Sequence, residues 1–127
     1  MNDHTPQADS AKPAPSAPLL EVKELTVAFP TEAGPALAVD GVSFSILPGE
    51  TLCLVGESGC GKSMTALSLM GLNPAPGKVT RGQARFMGMD LLALDDTEWS
   101  KLRGDKMTII FQEPMTSLNP VFTVGDQ

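Results

Sequence analysis

The run Gly56-Glu57-Ser58-Gly59-Cys60-Gly61-Lys62-Ser63 matches G-x-x-x-x-G-K-[ST] at every fixed position, and few short patterns restrict a chain so tightly. Glycines let the backbone adopt unusual dihedrals and bring N–H groups close to an anion. Those N–H groups and the positive end of the following helix form a nest for a β-phosphate. Lys62 is placed to reach β- and γ-phosphates as a mobile point charge, and the Ser63 hydroxyl is a hard oxygen ligand suited to Mg²⁺. Such a loop has to leave a buried strand and open a helix. Residues 51–55 (Thr-Leu-Cys-Leu-Val) are a nearly unbroken apolar run, which predicts a buried strand of a parallel sheet. Residues 62–70 read as a helix, ended by Gly71 and Pro74. The expected fold class is α/β. The loop alone does not name a function, because kinases, GTPases, motor ATPases and transporters all carry it.

Other segments fill out the pattern. Residues 1–18 are rich in Pro, Ala, Ser and Asp and cannot bury enough surface to offset their ordering entropy, so a disordered tail is expected, with residues 19–127 forming the domain. His4 lies in that tail and reads as solvated. Residues 20–29 alternate in part (Val22, Leu25, Val27, Phe29) and predict a strand. Residues 30–35 predict a loop, and residues 36–46 a second strand with Asp40-Gly41 as a turn or bulge. Pro48-Gly49 breaks the chain. Residues 83–87 predict a short strand and residues 96–102 a short helix capped by Asp95 or Asp96. Residues 107–111 (Met-Thr-Ile-Ile-Phe) predict a second buried strand, residues 112–120 a polar loop, and Thr123 the start of a further helix. Met64, Leu67 and Met70 lie at helical spacing and are expected to face the sheet, with Trp99 a packing residue.

Composition removes several classes. With 127 residues and 42% hydrophobic content, the chain can build one modest core. A net charge of −6 gains nothing from counterion release, so no nucleic-acid partner is expected. No stretch approaches the length of a membrane span, and the N-terminus lacks the basic and apolar regions of a secretory signal. The two cysteines, Cys53 and Cys60, suggest a reducing compartment rather than a disulfide scaffold.

Residues 25–29, the run Ala38-Val39-Asp40-Gly41-Val42-Ser43-Phe44, Pro48-Gly49-Glu50, the phosphate loop and residues 107–120 together resemble the ATP-binding subunit of ABC transporters. The stretch Ile110-Phe111-Gln112-Glu113-Pro114-Met115-Thr116-Ser117-Leu118-Asn119-Pro120 is similar to the Q-loop region of the oligopeptide, dipeptide, nickel and glutathione importer branch. The resemblance covers about residues 20–127. It implies a P-loop NTPase core with an N-terminal antiparallel β part. It implies ATP and Mg²⁺ as cofactors, with nucleotide held by Phe29, Gly56, Glu57, Ser58, Gly59, Cys60, Gly61, Lys62 and Ser63. Phe29 matches the aromatic that stacks on adenine, and Gln112 matches the catalytic Q-loop glutamine that contacts Mg²⁺, beside Ser63, or the attacking water. The implied partners are integral membrane permease subunits, a second ATP-binding subunit and, indirectly, a solute-binding protein, at the cytoplasmic side of the cell membrane. Other readings stay open: a non-transport ABC-type ATPase, or a P-loop kinase or GTPase.

The family's signature motif, Walker B acids and switch histidine have no match in this sequence. An N-terminal fragment is therefore expected, binding nucleotide weakly and hydrolysing it poorly, with unpaired strand edges that favour aggregation. Asp40 is expected to organise a turn and Glu57 to point to solvent rather than to act as catalytic acids. Cys60 stands beside Lys62 and a helix N-terminus, which favours its thiolate and predicts alkylation by N-ethylmaleimide that Mg-ATP blocks.

Overall fold

The computed structural model describes residues 17–113 and 118–127. Of the expected tail, residues 1–16, with His4, lie outside the described residues, as do residues 114–117 of the Q-loop stretch.

Strand β1 (Leu20–Thr31) pairs antiparallel with β2 (Gly34–Ile46) on one side and with β3 (Lys78–Phe86) on the other. A short β4 (Met89–Asp90) adds to β3, giving the order β2-β1-β3-β4. Helix α1 (Lys62–Leu69) follows the phosphate loop, and a 3₁₀ turn (Leu91–Ala93) leads to α2 (Asp96–Leu102).

The imperfect alternation of β1 has a mechanical cause. Between Val22 and Leu25, β1 advances three residues while β2 advances two, from Phe44 to Val42. The extra residue forms a bulge at Glu24, whose φ is 50°. The bulge reverses the side-chain parity, so Val22 before it and Leu25 and Val27 after it are all buried. Gly82 on β3 passes this point so closely that a Cβ there would lie 2.5 Å from the Glu24 carbonyl oxygen. A second bulge falls at Asp40-Gly41, where Gly41 takes φ 60°, in the place expected. The connection between β1 and β2 is tighter than expected, because Pro30 and Pro35 sit opposite each other within the ladder. Both prolines are exposed at the turn end of the hairpin, where a missing donor costs little.

The core lies on one face of this sheet. Leu20, Val22, Leu25, Ala84 and Phe86 pack with Leu69 of α1, Leu91, and Trp99 and Leu102 of α2. The α2 helix starts with a capping box: Asp95 Oδ1 accepts from the Glu98 N–H at 2.8 Å, and Glu98 Oε2 accepts from the Asp95 N–H at 2.9 Å. The α1 helix stops at Gly71, which takes φ 62°. There Leu72 N–H donates to Leu67 C=O at 2.8 Å and Gly71 N–H to Ser68 C=O at 3.1 Å, a Schellman closure.

Four sequence expectations need correction. Residues 51–55 form no strand and are exposed, with Val55 at 90%. Residues 107–111 form no strand either; Met107 makes only an isolated parallel bridge to Arg103. An apolar run becomes a buried strand only when a neighbouring ladder and a covering layer exist, and among the described residues neither run has a ladder. Of the three α1 residues expected to pack, Met70 at the C-cap is buried but Met64 and Leu67 are only half-buried, whereas Thr65, Ser68 and Leu69 are buried. The two hydroxyls bond back to Gly61 C=O (2.9 Å) and Met64 C=O (2.7 Å), so small polar residues can occupy the buried side. Beyond Thr123 the chain makes a turn rather than a helix, with the Asp126 N–H donating to Thr123 C=O at 3.0 Å.

Candidate nucleotide site

Gly61 sets the start of α1. It takes φ 95° at the N-cap, a conformation that strains any residue with a Cβ. A Cβ there would also lie 2.4 Å from the main-chain oxygen of Ala38, so the loop rests directly on β2. No side chain caps the helix and no acid occupies its first turn. The leading N–H groups are therefore not taken by a side-chain acceptor, which suits them to an anion. Gly59 takes φ 80° with open space around it.

Lys62 turns back over the loop. Its Nζ donates to Gly56 C=O at 2.7 Å and to Glu57 C=O at 2.7 Å, and lies 3.3 Å from Cys60 Sγ. Both Cys60 and Cys53 are free and exposed. Hydrogen bonding from Lys62 holds the Cys60 thiol below its ordinary value. The thiol is thus exposed, as alkylation requires.

A cavity of about 560 Å³ opens beside the loop. Ser58, Gly59, Gly61, Lys62, Ser63 and Met64 line it from the loop and helix, Ala38 from β2, and Gln112 from far along the chain. The fold thus brings Gln112 to the same space as Lys62 and Ser63. It does not bring Phe29 there. That side chain is half-buried against Gly77, where a Cβ would lie 2.5 Å from its ring. Phe29 pairs with Ala36, two residues from Ala38 along β2, so it stands on the strand next to the cavity floor. Glu57 and Asp40 are exposed, as expected. Met64 and Ala38 were not predicted as lining; no local pattern marks a residue that becomes a wall only after the loop lands on β2.

A hydroxyl and an amide oxygen are hard, neutral donors. Ser63 and Gln112 therefore fit Mg²⁺ only as a partial set, which phosphate oxygens and water would complete. Among the described residues no group of three His, Cys, Asp or Glu could hold a metal. No helix among them is long and apolar enough to cross a membrane.

Residues 39–127 match the ABC transporter family. The chain is 52% identical over 110 residues to the dipeptide transport ATP-binding protein DppD of Bacillus subtilis, covering 86% of this chain and 33% of that protein. It is 49% identical over 109 residues to DppD of Lactococcus lactis (86% and 31%). It is 51% identical over 109 residues to the oligopeptide transport ATP-binding protein OppD of Escherichia coli (86% and 32%). The chain thus spans about a third of the length of the curated relatives it matches.

Proposed function

Because this chain belongs to the ABC transporter family, whose P-loop NTPase fold it shares, we propose that it supplies the phosphate-binding half of an ATP site in the ATP-binding subunit of a peptide importer. The observation that carries this reading is the convergence of Lys62, Ser63 and Gln112 on one cavity at the head of α1. The main-chain N–H groups of Gly59, Gly61 and Lys62 would hold the β-phosphate, joined by that of Cys60 once it leaves the Glu57 carbonyl to which it donates at 3.3 Å, and Lys62 would neutralise the charge. The carbonyls of Gly56 and Glu57, with Ser58, shape the rim of the same loop. Ser63 and Gln112 would hold Mg²⁺, which when bound screens the phosphate charge during transfer. The ring of Phe29 is assigned to the adenine on the resemblance alone. It stands on the strand paired with the one that carries Ala38 of the cavity wall.

Hydrolysis, in this reading, belongs to a longer protein in which two such subunits enclose ATP and act on membrane-embedded permease subunits from the cytoplasmic side. Peptides are the solute class that the matched relatives' names support.

Titration of the chain with Mg-ATP by calorimetry tests the reading. Binding should be saturable, stronger for Mg-ATP than for Mg-GTP, and at least about tenfold weaker in Lys62→Ala. Equal affinity in the variant would remove the basis of the proposal. Co-purification of the longer protein with integral membrane subunits tests the transporter assignment separately.

A further inference from the structure

All three N–H bonds of the Lys62 ammonium are engaged within the loop that carries it. The acceptors are the Gly56 and Glu57 carbonyls, both at 2.7 Å, and the Cys60 sulfur at 3.3 Å. An ammonium has three donors and no more. A phosphate oxygen that Lys62 grips must therefore take a donor from one of these three. The carbonyl bonds are short and come from the main chain. The sulfur is the longest contact and the one acceptor supplied by a side chain. It is also turned into the loop: a Cβ on Gly56 would lie 2.4 Å from Cys60 Sγ and 4.0 Å from Lys62 Nζ.

Resting on the ATP-binding reading above, we propose that Cys60 is a positioning residue whose sulfur competes with the nucleotide phosphate for one N–H of Lys62 and so lowers the affinity of the loop for Mg-ATP. The affinity of a ligand falls by the fraction of the receptor that is competent to bind it. A Lys62 turned toward sulfur for most of the time is competent for only the remainder. The sign of this effect separates it from a shaping role. A residue that merely supports the loop weakens binding when it is removed, whereas an internal competitor strengthens it.

The test is Mg-ATP calorimetry on the whole chain with Cys60→Ala, Cys60→Val and Cys60→Ser. Alanine and valine remove the acceptor, alanine by shrinking the side chain and valine while exceeding the thiol by about a methyl group, so that a shared effect cannot come from a change of volume in one direction. Both should bind about threefold more tightly than the wild type, the scale of one modest hydrogen bond. Serine keeps an acceptor and should stay close to the wild type. In a Lys62→Met background the Cys60→Ala change should leave affinity unaltered, because the shared donor is gone. Unchanged or weaker binding in both Cys60→Ala and Cys60→Val overturns the inference and leaves the ATP site standing. A wild-type chain that binds no Mg-ATP overturns the reading and the inference together.

Discussion

The guanidinium of Arg103 lies 4.6 Å from the centre of the Trp99 ring, one turn earlier on α2. Its Nε donates to Met70 C=O and its Nη2 to Gly71 C=O, each at 2.9 Å. One side chain thus stacks on the core aromatic and caps the carbonyl end of α1, the helix whose other end carries the candidate phosphate site. Arg103→Ala should lower stability by about 2 kcal/mol, from two charge-assisted bonds and a cation–π contact. Arg103→Lys should recover less than half of that, because an ammonium cannot fork across two carbonyls while stacking. Urea denaturation followed by Trp99 fluorescence measures both, and equal midpoints for all three proteins would contradict the assignment.

Gly71 is under a double constraint. Its φ of 62° strains a side chain, and a Cβ there would lie 2.7 Å from the Trp99 ring and 2.9 Å from Arg103 Nη2. Gly71→Ala should therefore cost about 2 kcal/mol or more, beyond the roughly 1 kcal/mol of the backbone conformation alone. A loss under about 0.5 kcal/mol would show that the ring and the guanidinium move aside freely.

At the other end of α1, Gly61→Ala would place a methyl 2.4 Å from the main-chain oxygen of Ala38. Main chain cannot swing away as a side-chain tip can. The loop should lift from β2, and Mg-ATP affinity should fall by at least about tenfold, the order of losing one well-placed charged contact. Retained affinity would mean that the contact with β2 does not hold the loop in its binding shape.

Cys60 should alkylate readily, because Lys62 holds its thiol below the ordinary value. A depressed thiol keeps its reactive thiolate at pH values where an unperturbed cysteine is protonated, and loses it only as pH falls through the lowered value. In a Cys53→Ser background, N-ethylmaleimide labelling near neutral pH should be fast, slower in Lys62→Met, and blocked by saturating Mg-ATP. Labelling that ignores both Lys62 and nucleotide would refute this.

Apolar side chains outside the core carry a solubility cost. Val55 is 90% exposed, Ile110 85% and Val121 84%. Many large apolar side chains left in water drive association, so the 127-residue chain should self-associate with rising concentration in sedimentation velocity. Val55→Lys combined with Ile110→Lys should shift it toward monomer. A monodisperse wild-type monomer at high concentration would contradict the expectation.

The local chemistry of the fold was legible residue by residue. Asp95 caps α2, Gly71 ends α1, Gly41 supplies a bulge and Trp99 packs in the core, because caps, left-handed glycines and large aromatics act through neighbours close in sequence or through bulk alone. The bulge at Glu24 was not legible, since a parity reversal in β1 shows only against the registers of β2 and β3. Nor was the burial of Thr65 and Ser68, which depends on hydroxyls bonding back within a helix already docked.

By itself, the order of residues from Gly56 to Ser63 determined that a loop of the phosphate-binding pattern opens a helix, because that pattern requires backbone freedom, one ammonium and one hydroxyl within eight consecutive residues. Only the tertiary structure decided what surrounds the cradle. It sets the loop on Ala38, brings Gln112 to the cavity that Ser63 also lines, turns Lys62 onto the Gly56 and Glu57 carbonyls, and leaves residues 51–55 without a ladder. Those outcomes depend on which distant segments come together, and a linear pattern holds no measure of that distance.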